Sequence, residues 1–201
     1  MMTILARLSA FAVAVAFGVS PAPADDKQDD KIELKVGDTA PIFQLQDHAG
    51  EAWSSSDHVG KKWVVIYFYP GDFTPGCTAQ ARAFNGAMEK LAAKGVEVIG
   101  ISGDSAATHD LFRTAQKLNF TLLADPKGGA AKQFGVPFGP GATVKAKDAD
   151  GKVIELQREG TAGRWTFVVG KDGKIAYKNV KVLPADDAKK IAEFIDAAEK
   201  K

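Results

Sequence analysis

Cysteine is almost absent from this 201-residue chain, which carries only Cys77. That scarcity excludes an intramolecular disulfide framework. Charge of one sign is missing too. Against 26 Lys plus Arg stand 25 Asp plus Glu, so there is no basic surplus to attract nucleic acid or an anionic membrane. His48, His58 and His109 are scattered without metal-ligand spacing and read as surface or internally satisfied residues. Gly135, Gly139 and Gly141 do not follow a strand in dinucleotide-binding register. The acidic stretch from Asp148 to Gly151 lacks the ligand count of a calcium loop. No internal repeat and no interdomain linker is visible. What remains is ordinary globular composition, 45% hydrophobic and 25% charged, enough for one core without staples.

Long hydrophobic runs are confined to the N-terminus. Met1 to Arg7 carries one positive charge, Leu8 to Val19 is apolar, and Ser20 to Ala24 ends in an Ala-x-Ala pattern. That order predicts a secretory signal peptide over residues 1–24, cleaved after Ala24. The apolar run is shorter than the ~20 residues of a spanning helix. Cleavage removes Arg7 and leaves the mature chain near neutral. Residues 25–35 are polar and read as a flexible lead-in. Residues 36–201 read as one soluble domain, exported to the periplasm or beyond. A lone thiol in an oxidising compartment is a liability unless it is inert or reactive on purpose, so Cys77 is the residue to explain.

The apolar pattern sets the elements around it. Ala40 to Leu45 reads as a short edge strand. Lys62 to Tyr69 is continuous in β-forming residues and predicts a strand buried on both faces. A loop, Pro70-Gly71-Asp72-Phe73, leads to Thr74-Pro75-Gly76-Cys77, where threonine can cap a helix and proline suits its first position. Ala81, Phe84, Met88 and Leu91 would form that helix's apolar face, with Gly95 as its stop. Val96 to Ser102 predicts a second buried strand. Ser105 to Leu118 predicts a helix burying Ala107, Leu111, Ala115 and Leu118. A short strand over Thr121 to Ala124 and a brief helix over Gly128 to Phe134 follow. Val136 to Gly163 reads as irregular, with a hairpin about Asp150-Gly151. Strands at Trp165 to Val169 and Lys174 to Asn179 join across Lys171-Asp172-Gly173. A closing helix would bury Ala188, Ile191, Ile195 and Ala198 and be capped by Asp186. Helices between buried strands imply parallel pairing, and the late hairpin adds antiparallel strands. The fold class is α/β, with a mixed central β-sheet flanked by helices.

Cys77 therefore falls in the first turn of a helix that follows a buried strand. Free N–H groups and the positive helix end gather there and favour a thiolate, the form that acts as nucleophile or metal ligand. The bland reading is a small buried hydrophobe, which is how most lone cysteines behave. Pro70, Thr74, Pro75 and Gly76 together weigh toward the reactive reading.

The segment Pro70-Gly71-Asp72-Phe73-Thr74-Pro75-Gly76-Cys77 resembles the peroxiredoxin motif Pro-x-x-x-Thr-x-x-Cys. The resemblance extends through Val96 to Ser102, Leu123-Ala124-Asp125-Pro126 and the Arg164-Trp165-Thr166-Phe167 strand, and covers essentially Val36 to Ala198. It is nearest to the Q-type subfamily, also called bacterioferritin comigratory protein. It implies a thioredoxin-like fold and a thiol-dependent peroxidase acting on hydrogen peroxide and organic hydroperoxides. By the same resemblance, Cys77 is the peroxidatic cysteine that becomes a sulfenic acid. Thr74 hydrogen-bonds the peroxide, Pro70 shields the thiolate, and Arg164 polarises the peroxide and stabilises the thiolate. No metal or flavin cofactor is implied.

This sequence departs from the Q-type pattern in three places. Gln80 stands where many members carry glutamate, Arg82 stands where many carry a resolving cysteine, and the stretch before Arg164 is longer. With one cysteine, the sulfenic acid must be resolved by an external thiol, from a thioredoxin-like protein, glutathione or a second copy of the chain. A monomer or weak homodimer is expected. Two other readings compete. In one, the fold is a disulfide exchanger, weakened because Thr74 replaces the first cysteine of a Cys-x-x-Cys site. In the other, it is a non-enzymatic redox sensor or partner-binding protein that uses Cys77 as a switch.

Overall fold

The computed structural model describes residues 32–200, and the predicted signal peptide lies outside them. Strands β1 (Gln44–Asp47), β2 (Ala52–Ser54), β3 (Trp63–Phe68), β4 (Val96–Ser102), β5 (Thr121–Ala124), β8 (Trp165–Val169) and β9 (Ile175–Asn179) form one sheet. Its order is β2-β1-β5-β4-β3-β8-β9. β3, β4 and β5 run parallel, while β8 and β9 extend the sheet antiparallel beside β3. Helices α1 (Pro75–Ala92) and α2 (Ala106–Gln116) are the parallel crossovers, α3 (Gly129–Gln133) follows β5, and α4 (Asp187–Ala198) closes the chain. The mixed sheet with flanking helices is the thioredoxin-like arrangement.

Strand alternation divides the core in two. Val65, Tyr67 and Tyr69 face one side with Phe84 and Leu91 of α1 and Ile191 and Ile195 of α4. Val64, Ile66 and Phe68 face the other, with Phe134 beyond α3 and Phe43 before β1. β3 is thus buried on both faces, as its unbroken apolar run requires.

Three elements differ from the sequence expectation. The edge strand falls later than Ala40 to Leu45 and has a partner, β2, that no apolar alternation announced. On α2, Ala107 and Leu111 are exposed, and the buried residues are Thr108, His109 and Phe112. The helix turns its polar His109 inward because two polar partners wait for it, described below. The third difference is the largest. Residues expected to be irregular form a ten-residue-a-side hairpin, β6 (Phe138–Lys147) and β7 (Val153–Ala162), turning at Asp148 to Lys152. Its inner face includes Ala146, Leu156 and Arg158, all buried. The turn was legible from Asp150-Gly151. The strands were not, because glycine and charged residues break their alternation.

Candidate active site

The site forms where β3 gives way to α1. Pro75 takes the first position of α1 and Thr74 the cap position, yet no side chain caps the helix. Thr74 Oγ1 instead donates to Gly71 O at 3.1 Å. The first-turn N–H groups of α1 therefore remain available to an anion. Cys77 lies in this turn and is 1% exposed. Pro70 opens the loop just past β3 and is half-buried.

Arg164, on the approach to β8, donates from Nη2 to Cys77 Sγ at 3.2 Å. Antiparallel pairing of β8 with β3, Phe68 opposite Trp165, delivers it there. A side chain at position 76 would stand 3.3 Å from Arg164 Nη2, so Gly76 leaves room for the guanidinium. The structure thus gathers Thr74, Cys77 and Arg164 around the start of α1, with Pro70 at the loop entrance.

Arg164 is itself held. Its Nη1 donates to Gln80 Oε1, and Gln80 Nε2 donates to Asp187 Oδ2 at 2.8 Å. Thr166 Oγ1 donates to the same oxygen at 2.7 Å. Asp187 is 1% exposed, and its Oδ1 has no hydrogen-bond partner among the described residues. Burial raises its carboxyl above the usual range, and the bonds from Thr166 and Gln80 offset only part of that. A chain of contacts therefore runs Cys77–Arg164–Gln80–Asp187. Among the described residues the neutral Gln80 leaves the guanidinium without a carboxyl group of its own, and the nearest one in the chain of contacts, Asp187, sits one side chain further back. Asp187 was missed from the sequence, where Asp186 was read as the cap of α4. In the structure Asp186 makes no side-chain cap bond, and Asp187 turns inward. Tyr67 stacks on Phe84 nearby, and burial first, then Asp72 and Cys77, hold its phenol neutral to well above the usual range.

A second polar group lies behind the loop. Asp72 is fully buried, and its carboxylate accepts from Tyr69 Oη at 2.7 Å and from His109 Nδ1 at 2.7 Å. His109 Nε2 reaches Leu123 O at 3.1 Å. A carbonyl and a carboxylate only accept, so both ring nitrogens carry protons and His109 is an imidazolium. Burial opposes that charge, but Asp72 outweighs it, and the histidine's pKa rises above its ordinary 6.5. His109 is internally satisfied, as expected, and is also part of the site's support. Phe73, next along, has φ +59°, a left-handed conformation that costs a non-glycine residue about 1–3 kcal/mol. Its ring packs edge-on against Phe112 at 5.1 Å, which helps to hold it.

This is a thioredoxin-like fold carrying one thiol at an uncapped helix start beside an arginine. Residues 36–178 match the AhpC/TSA family, and the chain belongs to that family. It is 43% identical over 145 residues, 72% of this chain, to a protein of Oryza sativa subsp. indica named putative peroxiredoxin Q, chloroplastic. The chain spans 58% of that relative's length. Among solved structures, peroxidoxin BcpB from Mycobacterium tuberculosis superposes with TM-score 0.67 at 28% identity, covering 82% of this chain and 98% of that one. The bacterioferritin comigratory protein of Xanthomonas campestris, studied for alkyl peroxide reduction, gives TM-score 0.65 at 28% identity, covering 82% and 97%.

Proposed function

We propose that the chain is a thiol-dependent peroxidase working through Cys77. The observation that carries this reading is the Arg164 N–H on Cys77 Sγ at 3.2 Å, at a helix start that no side chain caps. The Cys77 thiolate attacks one peroxide oxygen. An S–O bond forms, the O–O bond breaks, and the departing alkoxide or hydroxide takes a proton, leaving a sulfenic acid and an alcohol or water. Arg164 and the first-turn N–H groups stabilise charge on sulfur and on the oxygen in transfer. Thr74 orients the peroxide, and Pro70 limits access of water. An external thiol then attacks the sulfenic sulfur and releases water, and a second thiol cleaves the mixed disulfide. A thioredoxin-like protein or glutathione supplies these thiols.

The near-complete burial of the sulfur favours hydrogen peroxide and small organic hydroperoxides as substrates. The three-part N-terminal pattern supports export with cleavage after Ala24, placing residues 36–201 as a working domain in the periplasm or outside, as a monomer or weak homodimer. The deciding experiment is mass spectrometry of the mature chain after one equivalent of hydrogen peroxide, comparing wild type with Cys77→Ser. A rapid gain of one oxygen, trapped by a sulfenic-acid reagent only when Cys77 is present, supports the reading. A thiol unmodified over minutes overturns it. Turnover with an added thiol separates the enzyme from a redox sensor, which would oxidise once and stop.

A further inference from the structure

The β6–β7 hairpin is the part of the fold that thiol chemistry leaves without a role, and one of its side chains reaches the loop that presents Cys77. Arg158, on β7, is 7% exposed. Its Nε donates to Asp104 Oδ1 at 3.0 Å, and its Nη2 donates to the main-chain carbonyl of Asp72 at 3.0 Å. The other oxygen of Asp104 accepts from the main-chain N–H of Asp72 at 2.8 Å and from Ser102 Oγ at 2.8 Å. The Arg158–Asp104 pair therefore grips both main-chain polar groups of Asp72. The Asp72 side chain is already held by Tyr69 and His109. Four elements thus converge on one loop residue: the end of β3, the exit of β4, α2 and β7.

The neighbouring glycines make room for this grip. A Cβ on Gly71 would overlap the Arg158 guanidinium, and one on Gly103 would overlap the carbonyl of Gly160 on β7. The base of the hairpin is therefore built into the loop rather than resting beside it. The loop sets the site in turn. Gly71 O is the acceptor for Thr74 Oγ1, and Phe73 must be held left-handed for the chain to enter α1.

We propose that Arg158 is a positioning residue that holds the Gly71–Phe73 bend, and hence Thr74, in register with Cys77, so that the hairpin governs peroxide reactivity without touching sulfur. The proposal rests on the peroxidase reading above. The guanidinium suits the task because its donors diverge from one rigid plane, one to a carboxylate and one to a carbonyl. A lysine ammonium can meet these partners only as a single point charge.

The test compares wild type with Arg158→Lys, Arg158→Ala and Arg158→Met. Two reactions at Cys77 are timed: oxidation by hydrogen peroxide, which needs Thr74 and the loop that orients it, and alkylation by iodoacetamide, which needs the thiolate and access to it but no oriented hydroxyl. Near-UV circular dichroism and melting report the fold. In Arg158→Met, peroxide oxidation is expected to slow by about 100-fold, the scale of an ångström misplacement, while alkylation stays within about threefold of wild type. Arg158→Lys falls between. Guanidinium ion, added to Arg158→Ala far below unfolding concentrations, should restore part of the lost peroxide rate. If Arg158→Met does not fold, Arg158→Lys and the guanidinium rescue decide. Folded variants that oxidise as fast as wild type overturn the proposal while leaving the peroxidase reading intact. So does a parallel fall in both reactions without rescue, which marks Arg158 as merely structural. A wild type inert to peroxide fails the peroxidase reading itself.

Discussion

Replacing Gln80 by glutamate restores a residue that many Q-type sequences carry, and in this chain it should be harmful. Gln80 is fully buried and donates to Asp187 Oδ2 at 2.8 Å, so a glutamate would set carboxylate oxygen against carboxylate oxygen. Two like charges ~4 Å apart repel by about 4 kcal/mol at an effective dielectric of ~20. Arg164 already lies on the other side of position 80 and would return part of that. The Arg164 attraction is of the same order as the repulsion, so the net loss at neutral pH is set mainly by the lost donor to the buried Asp187, about 1–3 kcal/mol, or a melting temperature lower by about 2–12 °C for a domain of this size.

The loss should depend on pH with a definite sign. Burial already raises the Asp187 carboxyl, and a second carboxylate beside it raises the pair further. As pH falls through that raised range, the folded variant keeps a proton on the pair and the repulsion disappears. Gln80→Glu should therefore approach wild-type stability in mild acid and fall away as pH rises to neutral. Adding Asp187→Asn should recover it at neutral pH, because Nδ2 of the asparagine, in the place of Oδ2, can donate to the new glutamate and also to Thr166 Oγ1, which then accepts instead of donating. Urea denaturation at pH 5 and pH 7.5 for the two variants and wild type measures all of this. If Gln80→Glu is as stable as wild type at pH 7.5, or if the double variant is no better than the single, the chain of contacts drawn from Arg164 through Gln80 to Asp187 is wrong.

Arg164→Lys keeps a cation but loses the paired N–H groups that reach Cys77 and Gln80 together, and stopped-flow oxidation by hydrogen peroxide should slow by about 100-fold or more. The His109–Asp72 pair should stabilise the fold fully below the ordinary histidine value of 6.5 and lose that contribution as pH rises through the elevated folded value, so the gap between wild type and His109→Gln in urea titrations should narrow in alkali. A gap constant from pH 6 to 9 would rule out the imidazolium. Phe84→Ala empties a fully buried site stacked on Tyr67 and should cost about 3–5 kcal/mol in the same assay.

The parts of this molecule that repeat a local pattern were readable. The unbroken run of β3, the three-and-four spacing of Ala81, Phe84, the partly buried Met88 and Leu91, and the turn at Lys171-Asp172-Gly173 each encode their own structure within a few residues. The α2 face was misplaced because the reading favoured aliphatic residues. The helix follows Phe112, which meets Phe73, and His109, which meets Asp72 and Leu123, and none of those partners lies on α2. The hairpin strands were unreadable for a related reason. Their inner face holds an arginine and a glycine where alternation would ask for valine, and its partners are the Asp72 loop and Asp104.

The site divides along the same line. Thr74 and Cys77 sit within one short motif, and Arg164 precedes a strand whose apolar run announces it. Asp187 and Arg158 belong to residue types that sequence statistics place in solvent, and His109 to one of only intermediate burial. Each is buried by a partner 107, 37 or 54 positions away. No window along the chain contains such a pair. One clue was present in the departures from the family pattern. Gln80 is an amide where the resemblance led to a carboxylate, and the stretch before Arg164 is longer than the resemblance led one to expect. A partly buried cation whose neighbour is a neutral amide draws on the next acidic group, and α4 supplies one through Asp187. A hairpin that packs its base into a buried loop must meet the loop's polar groups, and Arg158 meets them. Departures of this kind mark where to look for buried charge, even when they cannot name the residue that carries it.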